Sequence, residues 1–235
     1  FGEVVAGPGI DATFSVVLEG RARLLAVDEQ GREVSLEVIG PGATFGEHVL
    51  FGSDDPGPIV RATSDLRIAE LAADDLARMV DRHPELAAGL ARQARYRLIE
   101  GFLRSRSRLA ALPSEVVVDL LDRLENVPID PGDVLVREGD DAGAMFVVEA
   151  GKLVITRVID PDPGARPEVI GFLRAGDVFG ERAFLLGQRR FATVTAVTEG
   201  RLLRLPLAAV QELAAAHAPF RRLIETLVDS YDHRR

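Results

Sequence analysis

Two series of short apolar runs, each followed by a helical pattern, make up the chain. The runs are rich in β-branched and aromatic residues, and they are separated by glycine-containing turns such as Gly31 and residues 40–42 and 176–177. Many short strands at this spacing predict a barrel or a jelly roll, because closing a sheet on itself removes its exposed edges. The runs cover residues 14–18, 21–27, 34–38, 145–148, 153–158 and 169–173.

A long helix joins the two series. Apolar residues recur every four residues from Leu86 to Phe102, which predicts one extended helix with an apolar stripe. Shorter helical patterns follow each series, at 76–80 and 210–214. Ser114 is predicted to cap a further helix that ends near residue 124. The domain boundary is therefore expected near residues 105–113.

The two series are copies of one another. At an offset of 134 residues, Gly42 aligns with Gly176, and the Phe-Gly-Glu motif at 45–47 aligns with the same motif at 179–181. Only two copies exist, which indicates a duplicated domain and not a solenoid. We predict domains at residues 1–110 and 111–235. The predicted fold class is mainly β with flanking helices: two β jelly-roll barrels joined by the long helix.

Composition excludes several classes of function. The chain has 28 basic and 37 acidic residues and a net charge of −9, so nucleic acid is not an expected partner. The arginines of the long helix are interpreted as a solvated face. With no cysteine, four scattered histidines and no catalytic motif, neither enzymatic activity nor a metal site is expected. No apolar run is long enough to span a membrane, and a cytoplasmic location is expected, with the cytosolic face of a membrane protein as a variant.

The chain begins within a predicted strand and without methionine. We therefore expect a piece of a longer protein, so that the remainder of a larger host polypeptide is a partner. Self-association into a homo-oligomer is left open.

The segment 176–194, called the cassette below, contains the residues that indicate a ligand-binding site. Gly180 permits a backbone conformation or a close approach that a Cβ would block. The helix expected from about Arg182 begins with unpaired N–H groups that favour an anion. Arg190 offers a two-pronged donor to a phosphate, and Glu181 is an acceptor suited to a hydroxyl. A ligand with a phosphate next to a free sugar hydroxyl satisfies all three.

The cassette resembles the phosphate-binding segment of the cyclic nucleotide-binding domain family. Gly132, Gly139 and residues 147–151 match the family's barrel signature as well. The resemblance implies that Glu181 binds the ribose 2′-hydroxyl and that Arg190 and backbone amides hold the cyclic phosphate of cAMP or cGMP. The implied ligand-binding residues are Gly180, Glu181, Arg182, Ala183, Arg190, Phe191, Ala192 and Thr193.

Two departures from the family pattern matter. Phe191 stands where the family usually has a small residue, so its ring must either point away or crowd the site. In the first copy, the arginine position is taken by Pro56, beside Asp54 and Asp55. A phosphate there would lose its cation and face two carboxylates. We predict that the first copy, a degenerate domain, binds no cyclic nucleotide.

Alternative functions remain open from the sequence. The leading hypothesis is a regulatory module whose second domain senses the ligand and acts on its host through residues 207–232. The alternative is a non-binding interaction scaffold, in which Glu181 and Arg190 pair with each other. A transcription factor would need a helix-turn-helix after the second domain, and it is disfavoured unless that part has been cut away, because only a helical pattern precedes Arg235. Residues 220–235 are similar to a stretch of bacterial peptide-exporting ABC transporters, which suggests such a host.

Overall fold

The computed structural model describes residues 2–10, 13–28, 30–48, 57–159 and 166–232. They divide into two compact units, Phe1–Ser105 and Arg106–Arg235, called domain one and domain two below. The division lies at the end of the long helix, slightly earlier than residue 110. Residues 106–108 pack on the turn at Gly176: the Arg108 amide donates to the Gly176 carbonyl at 3.0 Å, and a Cβ on Gly176 would lie 2.0 Å from the Arg106 carbonyl oxygen.

Domain one consists of two antiparallel sheets followed by two helices. The sheets have the strand orders β1-β6-β3-β4 and β5-β2-β7. Between them lies an apolar core that includes Val17, Leu24, Phe45 and Val60. The elements are β1 (Val4–Ala6), β2 (Thr13–Glu19), β3 (Ala22–Val27), β4 (Glu33–Ile39), β5 (Thr44–Phe45), β6 (Ile59–Ala62), β7 (Arg67–Ala72), α1 (Ala73–Arg82) and α2 (Pro84–Arg106).

Domain two repeats this plan with two additional helices in its described residues, one before its first strand and a short one between its strands. Its sheets have the orders β13-β10-β15-β8 and β12-β11-β14-β9. The core between them includes Phe146, Leu153, Phe179 and Leu202. The elements are α3 (Ser114–Leu121), β8 (Glu125–Ile129), β9 (Val134–Val136), β10 (Ala144–Ala150), β11 (Lys152–Arg157), β12 (Glu168–Arg174), β13 (Val178–Phe179), α4 (Glu181–Leu185), β14 (Thr193–Ala196), β15 (Gly200–Pro206), α5 (Leu207–Ala216) and α6 (Ala218–Asp232).

The predicted fold class is confirmed, with two corrections. Each jelly roll is a pair of facing sheets and not a closed barrel, so edge strands such as β4 and β12 remain. The predicted cap on α3 is also wrong, because Pro113 is the residue before the helix and no side chain caps it. The fixed φ of proline suits a helix start, and the Pro113 carbonyl accepts from the Val116 and Val117 amides at 3.0 and 3.1 Å. Among the described residues, no helix is both long and apolar enough to cross a membrane.

Candidate functional site

The cassette backbone is shaped by Gly180. Its φ of +90° lies in the left-handed region, where it ends β13 and precedes the first residue of α4. A Cβ here would lie 2.5 Å from Nη1 of Arg190 and 3.0 Å from the Ala144 carbonyl oxygen. Glycine is therefore required both for the turn and for the close approach of the arginine.

Glu181 is fixed at a buried position by the strand before it. Phe179 pairs with Phe146 across β13 and β10, and their rings stack with centroids 4.9 Å apart. The turn at Gly180 then places Glu181 as the first residue of α4, where only 3% of it is exposed. The helix begins one residue earlier than expected and is five residues long.

One oxygen of the Glu181 carboxyl group has no direct partner. Its Oε2 is buried without a hydrogen bond. Burial raises the pKa of Glu181 to about 7, although a hydrogen bond from its own backbone amide and the charges of Arg108, Arg182 and Arg190 act to lower it. A buried acceptor without a partner costs free energy until a donor reaches it.

Arg190 is held by backbone groups on both sides. Its Nη1 donates to the Gly180 carbonyl at 3.2 Å, and its Nη2 donates to the Ala144 carbonyl at 2.7 Å. Its own amide donates to the Asp140 carbonyl, and its carbonyl accepts from the Gly139 amide. Burial lowers the pKa of Arg190, which nonetheless stays far above neutrality as a guanidinium. The positive charge is thus buried beside Gly180, at the wall of a cavity of about 240 Å³.

Glu181 and Arg190 do not form an ion pair. Both are described in the structure, and the arginine donates to the two backbone carbonyls instead. The alternative in which these two residues satisfy each other is therefore not the arrangement found. The carboxyl keeps an acceptor for another group.

The ring of Phe191 packs on two arginine side chains. The centre of its ring lies 3.7 Å from Cζ of Arg157 and 4.9 Å from Cζ of Arg182, so two guanidinium groups pack on it. Arg182, one of the two partners of the ring, is itself among the predicted ligand-binding residues. Arg182 thereby joins the cassette helix to the end of β11.

The remaining predicted site residues support the cassette. Ala183 and Ala192 are buried. The Thr193 hydroxyl accepts a hydrogen bond from the Glu138 amide at 3.0 Å. The structure therefore brings the start of α4 and residues 190–193 together, as the predicted set requires, but the Thr193 hydroxyl is engaged within the protein.

The corresponding site in domain one contains a residue that sequence reasoning missed. Arg97 of α2 is 8% exposed, and its Nη1 donates to both carboxylate oxygens of Glu47, at 3.0 and 3.1 Å. The same nitrogen donates to the Thr44 carbonyl at 2.7 Å. Asp54, Asp55 and Pro56, on which the prediction for this domain depended, lie outside the described residues.

The prediction that the arginines of the long helix form a solvated face is therefore partly wrong. Arg97 is buried against Glu47, and Arg104 pairs with Glu100 at 2.9 Å within the helix. One signal was available: Arg97 lies three residues after Ala94, inside the apolar stripe. A charged residue on such a stripe requires a buried partner of opposite charge.

Known proteins share both the sequence pattern and the fold. A model of the family described as cyclic nucleotide-binding domain matches residues 2–83 and 126–217. The chain is 27% identical over 198 residues to the cAMP-dependent protein kinase regulatory subunit of Dictyostelium discoideum, across 83% of this chain and 58% of that protein. It is 29% identical over 181 residues to the cGMP-dependent protein kinase 2 of Homo sapiens, across 77% of this chain and 22% of that protein.

A solved structure has the same arrangement of elements. The regulatory domain of Toxoplasma gondii PKA, co-crystallised with cAMP, superposes with a TM-score of 0.52 at 24% identity, over 99% of this chain and 83% of that one. The chain spans less than two thirds of the length of the two kinase-related proteins above. Neither of them is an ABC exporter, so the similarity suggested for residues 220–235 gains no support. The chain belongs to the cyclic nucleotide-binding domain family and contains two copies of that domain.

Proposed function

We propose that the chain is a regulatory module in which domain two binds one cyclic nucleotide and domain one binds none. The observation that carries the proposal is the buried Oε2 of Glu181, which has no hydrogen-bond partner and lies in the same cassette as the buried Arg190. The names of the relatives, which include cAMP- and cGMP-dependent kinases, support both cAMP and cGMP as candidates.

The two side chains provide complementary halves of a site. A ribose hydroxyl that donates to Oε2 of Glu181 would satisfy the buried acceptor and favour its charged form. A guanidinium has five N–H donors, and the bonds to the Gly180 and Ala144 carbonyls use only part of them. The rest can donate to a phosphate, a pairing that is stronger than a neutral hydrogen bond.

Domain one does not offer a comparable acceptor without a partner at Glu47. Both oxygens of Glu47 already accept from Arg97. A ribose hydroxyl would have to compete with a charge-assisted interaction inside the protein, which is an unfavourable exchange. Domain one is thus proposed to be a structural or relay copy.

The proposed output is a movement of the C-terminal helices. Helix α4, which contains Glu181, packs against α6, and α6 packs against α5. A ligand that repositions α4 therefore acts directly on residues 207–232. It can shift the equilibrium of a host protein only as far as its affinity differs between the two states.

Calorimetric titration with cAMP, cGMP and a cyclic dinucleotide tests the proposal. We expect at least one ligand to bind, and Arg190→Glu to weaken it by about 10- to 100-fold or more, because a hydrogen bond to a charged group is replaced by repulsion. Arg189→Glu is the matched control: it makes the same charge change on the neighbouring residue, whose side chain is 73% exposed. Silence with every ligand would favour the non-binding scaffold, and equal losses in both variants would place the phosphate elsewhere.

A further inference from the structure

The junction between α5 and α6 consists of a single residue, His217. It stands between the helices Leu207–Ala216 and Ala218–Asp232, and its backbone is extended, with φ of −125° and ψ of 100°. Its amide donates to the Leu213 carbonyl at 2.8 Å, and its carbonyl accepts from the Arg221 amide at 3.2 Å. Residues at the ends of elements are those that absorb the changes in φ and ψ of a hinge movement. The direction of α6 therefore depends on how His217 is held.

The side chain of His217 is bound to helix α3. Its Nε2 lies 2.8 Å from Oδ2 of Asp119, a residue 98 positions earlier in the chain. The other carboxylate oxygen of Asp119, Oδ1, lies 3.2 Å from Nη1 of Arg123. The Nε of Arg123 in turn lies 3.7 Å from Oε2 of Glu212 on α5. Four side chains thus connect α3 with α5 and with the junction that follows α5.

The corresponding junction in domain one is held locally. His83 is likewise the single residue between α1 and α2. Its Nδ1 lies 3.3 Å from Oε1 of Glu85, two residues further on, and the two side chains are 59% and 77% exposed. The side chain of His217 is 21% exposed, and its partner belongs to a separate helix. The two histidines occupy the same place in the repeat, but the contact of His217 fixes one helix relative to another.

The strength of the contact between His217 and Asp119 depends on pH. The hydrogen bond from His217 is the main cause that lowers the pKa of Asp119 below its ordinary value of 3.8, and the bond from Arg123 lowers it further. The carboxylate is therefore charged above pH 3.8, whereas histidine is the side chain that ordinarily changes its charge between about pH 5 and 8. A hydrogen bond between charged groups is stronger than one with a neutral donor, so the contact weakens when the imidazole loses its proton.

Other charges around the junction leave this direct contact decisive. The charged groups on the packed elements are Asp119 and Arg123 from the side of α3, Glu212 on α5 and Arg221 in the first turn of α6. They are two anions and two cations. The C-terminal end of α5 and the N-terminal end of α6 meet at His217 and act on a cation in opposite directions. The bond to Asp119 is therefore the contribution that distinguishes the two protonation states.

We propose that His217 and Asp119 form a pH-dependent latch, which holds the junction of α5 and α6 on α3 at low pH and releases it as histidine loses its proton. The closed latch binds the additional proton, so its stability falls as pH rises. Helix α6 packs against α4, which begins at Glu181. The latch therefore acts on the helices that provide the output in the proposed function, but it exists in the ligand-free chain as well.

A double-mutant cycle of the full, ligand-free chain with His217→Gln and Asp119→Asn tests the latch. Glutamine keeps an N–H donor and asparagine keeps an acceptor, so each substitution removes a charge. Hydrogen exchange read by mass spectrometry, corrected for the intrinsic effect of pH on exchange, reports the opening of residues 207–224. We expect the two residues to be coupled by about two- to fivefold at about pH 5.5, and by a smaller factor at about pH 8.5. The titration of Glu181 is common to all four proteins and cancels in the cycle.

The matched control is His83→Gln, which makes the same change at the equivalent junction of domain one. It should leave the exchange of α5 and α6 unchanged at both pH values. The Asp119 side chain is 42% exposed, so Asp119→Asn is expected to fold. The absence of coupling at the lower pH would overturn the proposal, and so would coupling of the same size at both pH values. The outcome is independent of the proposed function, because the measurement needs no nucleotide.

Discussion

The two Phe-Gly-Glu motifs have the same backbone conformation but differ in whether a cation pairs with their buried glutamate. In both, a glycine with φ between +84° and +90° turns the chain away from a short strand, and the glutamate that follows is 3% exposed. In domain one, Arg97 reaches from α2 and pairs with Glu47. In domain two, Oε2 of Glu181 has no hydrogen bond, and the nearby Arg190 is engaged by carbonyl oxygens.

This difference shows that the motif by itself specifies a position and not a function. The same buried carboxylate is a structural anchor when a helix supplies the cation and a candidate receptor when none does. In domain one the charge of the buried carboxylate is compensated by Arg97, whereas domain two retains an unfavourable burial that a ligand can relieve. The variants below test the two halves of this contrast.

The largest effect is expected for Arg97→Ala. It leaves Glu47 buried without its cation, and breaking a buried ion pair in this way costs about 3–5 kcal/mol. Hydrogen exchange read by mass spectrometry should show faster exchange throughout domain one and little change in domain two. Arg92→Ala, on an exposed position of the same helix, is the control and should shift stability by no more than about 0.5 kcal/mol. Equal effects of the two variants would show that the pair with Glu47 is not stabilising.

Glutamine substitutions at the two glutamates should act in opposite directions. The folded-state pKa of Glu181, about 7, lies above its ordinary value of 4.5. Wild-type domain two therefore loses stability as pH rises from about 4.5 to about 7, while Glu181→Gln does not. The variant should be more stable by up to about 3 kcal/mol above pH 7 and equal to the wild type below pH 4.5.

Glu47→Gln should instead destabilise domain one at pH 7, because it weakens the pair with Arg97. Chemical denaturation across this pH range, with hydrogen exchange to assign each transition, measures both effects. A Glu181→Gln variant that is less stable than the wild type at pH 8 would mean that Oε2 of Glu181 has a partner, contrary to the structure.

Substituting alanine for Gly46 or for Gly180 should distinguish an effect on stability from an effect on nucleotide binding. A Cβ on Gly46 would lie 1.9 Å from the Thr13 carbonyl oxygen, which is fixed in β2, whereas a Cβ on Gly180 first meets the end of the Arg190 side chain. We expect Gly46→Ala to cost about 2–3 kcal/mol and Gly180→Ala about 1 kcal/mol. Gly180→Ala should also weaken nucleotide binding through the displaced guanidinium. Thermal unfolding and calorimetry of both variants test the expected order.

The smallest effect on nucleotide affinity is expected for Phe191→Ala. The variant removes two guanidinium–ring contacts, worth about 0.5–1 kcal/mol each, and should change nucleotide affinity little because the ring is already engaged by Arg157 and Arg182. Phe191→Leu keeps the apolar bulk and separates packing from the π contact. A marked gain in affinity on removing the ring would show that it crowds the phosphate.

Much of this arrangement could be predicted from the sequence. The repeat placed both motifs, the four-residue period predicted α2, and the spacing of the apolar runs predicted two jelly rolls. Arg97 was missed because periodicity reports which side of a helix is apolar, and not which charge is matched by a carboxylate 50 residues away in the chain. The orientation of Phe191 was also undetermined, since it depends on Arg157 from another strand. Contacts between side chains that are distant in sequence can be read only from the folded structure.

Native mass spectrometry at saturating cyclic nucleotide tests the central claim most directly, because it counts ligands per chain. At the lowest concentration that fills the wild type, we predict one nucleotide per chain for the wild type, one for Glu47→Gln and a strongly reduced occupancy for Arg190→Glu. Two nucleotides per wild-type chain, or one that persists in Arg190→Glu and is lost in Glu47→Gln, would contradict the assignment of domain two as the receptor and domain one as the closed copy.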